Sequence, residues 1–359
     1  MLGNSLDRPA TRRPCPFLML RVLMTTLLVL LAAIFFAGFV FTSFKARGIS
    51  EHYPPLGTFS EANGIRMHAV HIPAGENADL PRLIFIHGAS GNLRDQYEAF
   101  AAKLEGRAEM LFIDRPGHGW SERDGEDYDT PDGQARAIAE TMKDYGIERG
   151  IMIGHSYGGA VIASFALAHP EMTDGLLFLS PATHPWPGGV AWYNDLVSVP
   201  VIGQFVANTL ILPAGLQMVK PGVACVFAPN PVPDGYIEKT GAEMVLRPKE
   251  FRANARELTR LNAYLREVAP RYTEIKAPTV IITGDSDDVV APEIHSEGLK
   301  KEIDGSELVT VRNLGHKPDY IANDLAVAAI EKLGGLVRDL QALAENVSQR
   351  IAGDDVRCN

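Results

Sequence analysis

The sequence predicts an α/β protein whose central sheet is mostly parallel and carries helices on both faces. Short apolar runs, such as residues 83–86 (LIFI) and 280–282 (VII), alternate along the chain with segments of helical pattern. Runs of this kind are typical of strands that are buried on both faces of a parallel sheet. Strand–helix alternation in turn predicts right-handed crossovers between neighbouring parallel strands.

The elements follow one another in a regular order. The apolar runs predict strands at Arg66–Ile72, Arg82–His87, Glu109–Asp114, Gly150–Gly154, Gly175–Ser180, Pro278–Thr283 and Glu307–Arg312. Periodicity near 3.6 residues predicts helices at Asp132–Tyr145 and Tyr157–Ala168, and from Asn323 to Ala352 except at Gly334 and Gly335. We therefore expect the core of the fold in residues 58–182 and 271–335, followed by a carboxy-terminal helix and tail in 336–359.

One interval breaks this rhythm. The chain between Ser180 and Pro278 is much longer than the single helix that a crossover needs. It is rich in Pro, Gly, Trp and Met, and Lys249–Val268 has a helical pattern. We interpret residues 183–270 as a helical cap inserted after the sixth core strand, above the edge of the sheet.

The amino terminus predicts a membrane anchor. Residues 1–21 are basic, and residues 22–41 form an uncharged apolar run that as a helix spans about 30 Å, the thickness of a bilayer's hydrocarbon core. A cleaved signal peptide is the alternative, but its apolar region is usually shorter. Four arginines precede the run and two basic residues follow it, which favours a single-pass protein with an extracytoplasmic body. Residues 42–57 are expected to be a linker.

Charge and cysteine content limit the function classes. The net charge is −10 although residues 1–50 are basic, so the body of the chain is acidic and nucleic acid is not an expected partner. Three cysteines, Cys15, Cys225 and Cys358, have neither disulfide-framework nor zinc-site spacing. We expect three unpaired thiols, no metal and no cofactor. The oligomeric state is not predicted.

The sequence Gly154-His155-Ser156-Tyr157-Gly158-Gly159 carries the most specific chemical signal. It contains G-x-S-x-G between a predicted strand and a predicted helix, which is the context of a nucleophile elbow. The serine then stands on a sharp turn beside a helix amino terminus, where developing negative charge is favoured. We predict that Ser156 is a nucleophile and that His155 packs the elbow.

A serine nucleophile needs a base and an acid that orients the base. His316 follows the last predicted strand and would lie at the same edge of the sheet, so it is the predicted base. The turn after Thr279–Thr283 offers three carboxylates in the order Ser…Asp…His, namely Asp285, Asp287 and Asp288. Backbone N–H groups would supply the oxyanion hole, and Ala89 and Tyr157 are the predicted donors.

At this point the sequence resembles the α/β-hydrolase superfamily. The H-G-x-x-G, D-x-P-G-x-G and G-H-S-x-G-G signatures stand here at 87–91, 114–119 and 154–159, followed by GDSDD at 284–288 and GHKPD at 315–319. The resemblance covers about residues 56–335. It implies structural roles for Asp114 and Gly117, and it selects Asp287 as the acid of the triad. His87 is expected from its place after the strand to hold its own loop.

The resemblance implies hydrolysis of a carboxylic ester or related acyl bond through an acyl-serine intermediate. Carbon–carbon bond hydrolysis, acyl transfer and perhydrolysis use the same triad and remain alternatives, and an inactive membrane receptor is the non-enzyme alternative. Similar epoxide hydrolases and dehalogenases place aspartate at the position of Ser156. The apolar cap favours a small hydrophobic acyl substrate, unless residues such as Trp186, Trp192, Phe205 and Leu212 only form the cap's own core.

Overall fold

The computed structural model describes residues 16–358. Its strands are β1 Thr58–Ala62, β2 Ile65–Ile72, β3 Leu83–Ile86, β4 Met110–Ile113, β5 Gly150–His155, β6 Thr173–Leu179, β7 Thr279–Gly284 and β8 Glu307–Val311. They form one sheet in the order β1-β2-β4-β3-β5-β6-β7-β8. β2 is antiparallel to both of its neighbours, and the pairs from β4 through β8 are parallel. The mostly parallel sheet is thus confirmed.

The helices account for most of the remaining chain. They are α1 Pro16–His52, α2 Leu93–Leu104, α3 Pro131–Asp144, α4 Tyr157–Ala168, α5 Trp192–Ser198, α6 Ile202–Val206, α7 Leu212–Phe227, α8 Tyr236–Thr240, α9 Pro248–Val268, α10 Ser296–Glu302, α11 Pro318–Ile321, α12 Asn323–Leu333 and α13 Leu340–Ile351. A π-helical turn, Ala207–Ile211, joins α6 to α7. Helices α5 to α9 lie between β6 and β7, where the cap was expected.

The sheet separates two hydrophobic cores, because alternate side chains of a strand point to opposite faces. In β3, Ile84 and Ile86 pack on the face covered by α3 and α4, whereas Leu83 and Phe85 pack on the face covered by α2, α12 and α13. All four side chains are buried. This double burial explains why the central strands are continuous apolar runs in the sequence.

The structure corrects the predicted linker. Helix α1 does not end with the apolar run but continues through residues 42–52. The first helix-breaking residue is Pro54, and Arg47 pairs with Glu51 one turn later at 2.9 Å. Ile49 and Tyr53 are buried in a cluster with residues of the cap. Helix α1 therefore reaches the body of the protein as a continuous helix rather than through a separate linker.

The structure also corrects the expectation of three unpaired cysteine thiols. Cys225, near the end of α7, forms a disulfide with Cys358, with a Cα–Cα distance of 4.6 Å. Their separation of 133 residues gave no spacing signal. The pairing arises because the carboxy-terminal tail folds back on the cap, where the N–H of Val356 donates to the carbonyl oxygen of Pro229. Cys15 lies outside the described residues.

Candidate active site

Ser156 occupies the turn between β5 and α4. Its backbone has φ 54° and ψ −119°, a region that serine enters only when the surrounding structure imposes it. The Ser156 N–H donates to Leu179 in the neighbouring strand, and its carbonyl oxygen accepts from Gly159 and Ala182. Side chains at Gly154 or Gly158 would collide with neighbouring backbone. The local geometry is that of the elbow expected from the sequence.

His316 and Asp287 come from the loops that follow β8 and β7. Nδ1 of His316 lies 2.7 Å from Oδ2 of Asp287, and both side chains are buried. Oδ1 of Asp287 accepts hydrogen bonds from the N–H groups of Val289 and Val290, each at 2.9 Å. Asp285 and Asp288 are exposed. Of the three candidate carboxylates, Asp287 is therefore the one that contacts the histidine.

The environment of Asp287 keeps its carboxyl ionised. Burial opposes ionisation, but His316 and the two backbone N–H groups outweigh it, so the pKa of Asp287 lies below its ordinary value. Since an ionised carboxylate can only accept, Nδ1 of His316 carries the proton. The other ring nitrogen, Nε2, then has a free lone pair and can act as a base.

His155 ties the histidine loop to the elbow. Its Nε2 donates to the carbonyl oxygen of His316 at 2.8 Å, and the two rings lie 4.9 Å apart between centroids. Burial, together with Lys317 and His316, lowers the pKa of His155 well below its ordinary value. A neutral His155 thus holds the backbone of the predicted base next to that of the predicted nucleophile.

The loop after β3 runs against the elbow. A side chain at Gly88 would approach Cβ of Ser156 to 3.1 Å. His87 accepts the N–H of Arg115 at Nε2 and donates from Nδ1 to the Gly88 carbonyl, so it holds this loop as expected. The N–H of Ala89 makes no hydrogen bond within residues 16–358. Tyr157 is the first residue of α4, and such N–H groups lack intrahelical partners.

Two asparagines of the cap, which sequence reasoning missed, hold the loops of the site. Oδ1 of Asn254, in α9, accepts the N–H of Ser90 at 2.7 Å. Oδ1 of Asn230 accepts the N–H of Gly315 at 2.9 Å, and its Nδ2 donates to the carbonyl oxygen of Asn313. Both asparagines are buried. No motif marks them, because each acts across a large sequence separation.

A buried charged cluster lies beside the predicted base. Nζ of Lys317 donates to Asp95 at 2.8 Å and to Asp319 at 2.9 Å. Tyr236 donates to the second oxygen of Asp95. Asp95, His155 and Asp319 together have donor atoms close enough for a metal ion. Nζ of Lys317 already donates to both carboxylates, so we assign the cluster to Lys317 rather than to a metal ion.

The comparisons with known proteins agree with this geometry. The family model described as Alpha/beta hydrolase family matches residues 83–330, which is more than half of the chain. The chain belongs to this family. It is therefore an enzyme of the hydrolase type rather than an inactive receptor.

Several curated relatives of this α/β-hydrolase are named as lipases or as the hydrolase of a hydroxy-oxo acid. Lipase 1 of Psychrobacter immobilis is 25% identical over 73% of this chain and 78% of its own. Monoacylglycerol lipase abhd6-B of Xenopus laevis is 24% identical over 76% of this chain and 78% of its own. The 2-hydroxy-6-oxononadienedioate/2-hydroxy-6-oxononatrienedioate hydrolase of Comamonas testosteroni is 25% identical over 70% of this chain and 86% of its own.

Solved structures show the same fold. An α/β-hydrolase fold protein from Burkholderia ambifaria aligns with a TM-score of 0.64 at 20% identity, covering 78% of this hydrolase and 99% of that chain. The enol-lactonase of Burkholderia xenovorans LB400 aligns with a TM-score of 0.60 at 19% identity, covering 77% and 99%. At such identities these similarities establish the fold but do not identify the substrate.

Proposed function

We propose that this hydrolase is a membrane-anchored serine esterase that cleaves the acyl bond of a lipid-like substrate. The observation that carries the proposal is the pairing of His316 with Asp287 at 2.7 Å on loops beside the strained turn of Ser156. A carboxylate, a histidine of fixed tautomer and a serine on an elbow turn are the parts of an acyl-transfer triad.

In the proposed reaction, Oγ of Ser156 attacks the substrate carbonyl while Nε2 of His316 takes its proton. The N–H groups of Ala89 and Tyr157 donate hydrogen bonds to the developing oxyanion. Collapse of the intermediate breaks the acyl–oxygen bond, and the leaving alcohol takes the proton from His316. Water then attacks the acyl-serine with the same base, which releases the acid and restores Ser156.

The membrane anchor belongs to the same proposal. Helix α1 has a mean hydropathy of 2.5 over its most apolar window, and that window is not buried against the protein. The Cys225–Cys358 disulfide supports an extracytoplasmic body, because disulfides persist in oxidising compartments. Relatives named lipase and monoacylglycerol lipase support an acyl substrate that resides in membranes.

The test combines a covalent probe with a substrate panel. Full-length protein in detergent should be labelled by a fluorophosphonate, and Ser156→Ala should lose both labelling and, by about 10⁶-fold, esterase turnover while remaining folded. Residual turnover at a large fraction of the native rate would overturn the assignment of Ser156.

The panel separates ester from carbon–carbon hydrolysis. We expect p-nitrophenyl esters of increasing acyl length and a monoacylglycerol to be hydrolysed, and a vinylogous diketone acid to be a poor substrate. The Comamonas testosteroni relative makes carbon–carbon hydrolysis the second candidate. Faster turnover of the diketone acid than of every ester would establish that candidate instead.

A further inference from the structure

The cap exposes an apolar surface that the fold does not cover. We define the cap apolar segment as Trp192–Val219, which comprises α5, α6, the π-helical turn and the first half of α7. Its only charged residue is Asp195. Of the fourteen large hydrophobic residues that are exposed outside α1 in the described chain, nine lie in this segment: Trp192, Tyr193, Leu196, Val199, Val201, Ile202, Phe205, Leu210 and Met218. A concentration of this kind marks an interaction surface.

The segment lies directly alongside the membrane helix. The rings of Phe35 in α1 and Phe205 in the cap are 4.9 Å apart between centroids. A side chain at Gly38 would collide with the backbone of Thr209. Between the two elements lies an open groove of about 670 Å³, lined by Ala32, Phe35, Phe36, Phe39, Val201, Gln204, Phe205, Asn208 and Thr209.

These contacts fix the depth of the segment. Phe41 is the last residue of the apolar run 22–41 in α1, and Phe35 and Ala32 lie six and nine residues inside it. At 1.5 Å per residue these positions are about 9 and 13 Å below the end of the run. Half of a hydrocarbon core is about 15 Å. The tip of the segment, near Val201, therefore reaches almost to the middle of the bilayer.

The other end of the segment returns to the surface. Leu212 packs with Ile49, beyond the apolar run of α1, so the two elements run in the same direction. The first basic residues after the two apolar stretches are Lys45 on α1 and Lys220 on α7. Basic side chains of this kind are favoured at the level of the lipid headgroups.

Three polar side chains of the segment donate to carbonyl oxygens within the same segment. Asn208 donates to the carbonyl oxygen of Gln204 at 2.7 Å, and Thr209 donates to that of Phe205 at 2.8 Å. Ser198 donates to that of Asp195. Such bonds are what a helix needs in hydrocarbon, where no water can replace a missing partner.

We infer that the cap apolar segment inserts into the same leaflet as the carboxy-terminal half of α1, with lipid acyl chains as its occupant. The inference rests on the proposed membrane anchor, since the depth is measured from α1. The alternative occupant, a second copy of the chain, would have to displace lipid from both elements. Insertion lets an acyl substrate reach the cap from the leaflet without crossing water.

Spin labels test the depth in the full-length protein, reconstituted in phosphatidylcholine vesicles. In a Cys15→Ser background the disulfide leaves any introduced cysteine as the single free thiol. Ile202→Cys reports the tip and Met218→Cys the returning end; Val337→Cys is the matched control because Val337 is an exposed hydrophobic residue (94%) outside the segment. We expect broadening by an aqueous nickel complex to be lost at 202, partial at 218 and full at 337, with oxygen broadening in the reverse order.

A further label at Leu28, inside the apolar run of α1, separates the possible failures. If Leu28→Cys and Ile202→Cys are both open to nickel, the membrane anchor itself is wrong. If the label at Leu28→Cys is in lipid but the label at Ile202→Cys is accessible to nickel, only the inferred insertion of the cap apolar segment is wrong. Spin–spin broadening at 202 that disappears on dilution with unlabelled protein would show that a second copy of the chain, and not lipid, covers the segment.

A kinetic test needs no label. Ile202→Lys places a charge at the exposed tip, with Val337→Lys as its control. We expect the tip variant to raise KM for a vesicle-borne monoacylglycerol several-fold while kcat/KM for a soluble short ester stays unchanged. An equal loss on both substrates, or no loss on either, would contradict entry from the leaflet.

Discussion

Replacing Asp287 with asparagine probes the triad most sharply, because each oxygen of Asp287 has a distinct partner. Oδ1 accepts the N–H groups of Val289 and Val290, and Oδ2 accepts Nδ1–H of His316. Asparagine keeps the two backbone bonds only if its carbonyl oxygen takes the place of Oδ1. Its NH₂ group then faces His316.

The opposite orientation of the amide would set NH₂ against two backbone donors. Leaving both unsatisfied costs about 1–3 kcal/mol each, so the first orientation prevails. Nδ1 of His316 must then accept, its proton moves to Nε2, and the ring can no longer take a proton from Ser156. We expect kcat to fall by about 10⁴, a loss of about 5.5 kcal/mol in transition-state stabilisation.

The assay is steady-state hydrolysis of p-nitrophenyl butyrate by full-length protein in detergent, with circular dichroism to confirm folding. Asp285→Asn and Asp288→Asn are the matched controls, since both carboxylates are exposed and Asp285 instead accepts the N–H of Asn313 at 2.8 Å. Each should cost about tenfold or less, as expected for residues outside the triad. The reasoning is refuted if either control is the most damaged variant, or if Asp287→Asn retains a tenth of native kcat.

Two further predictions concern stability. The Cys225–Cys358 disulfide closes a loop of 133 residues, for which loop-closure entropy gives about 5 kcal/mol of stabilisation. A reductant should therefore lower the melting temperature of native protein but not that of Cys358→Ser. Equal shifts of the two melting temperatures would show that no bridge forms. Burial, reinforced by Asp95 and opposed by Lys317, raises the pKa of Asp319 to about 6. A carboxyl with a raised pKa stabilises the fold fully below about pH 4, and this contribution is lost as the pH rises through 6. The free energy of unfolding of Asp319→Asn should therefore rise relative to that of native protein between pH 4 and pH 8 in urea unfolding, whereas parallel pH profiles would contradict the shift.

The elements of the fold that could be predicted are those with a local sequence pattern. The central strands were found because burial on both faces leaves continuous apolar runs. Strand β1 was missed because its sequence, TFSEA, is polar and largely exposed. Helix α2 was missed although its cap is readable, since the side chain of Asn92 accepts the N–H of Arg94.

The same division holds for the site. Ser156, His316 and Asp287 stand in motifs whose order and spacing can be read directly. The contact between Asn254 and Ser90 crosses 164 residues, and that between Lys317 and Asp95 crosses 222. Such pairs are brought together only by the packing of the cap and of the sheet edge. A single sequence carries no local signal for them.

Helix α7 connects the two ends of the cap. One end continues from the groove beside α1, and the other ends at Phe227, where the carbonyl oxygen of Ala228 leaves no space for a side chain at Gly315. Sixteen residues span about 24 Å between them. The disulfide joins this inner end, at Cys225, to Cys358 in the carboxy-terminal tail. Helix α7 is therefore held at both ends, by the loop of the predicted base at one end and by its contact with α1 at the other.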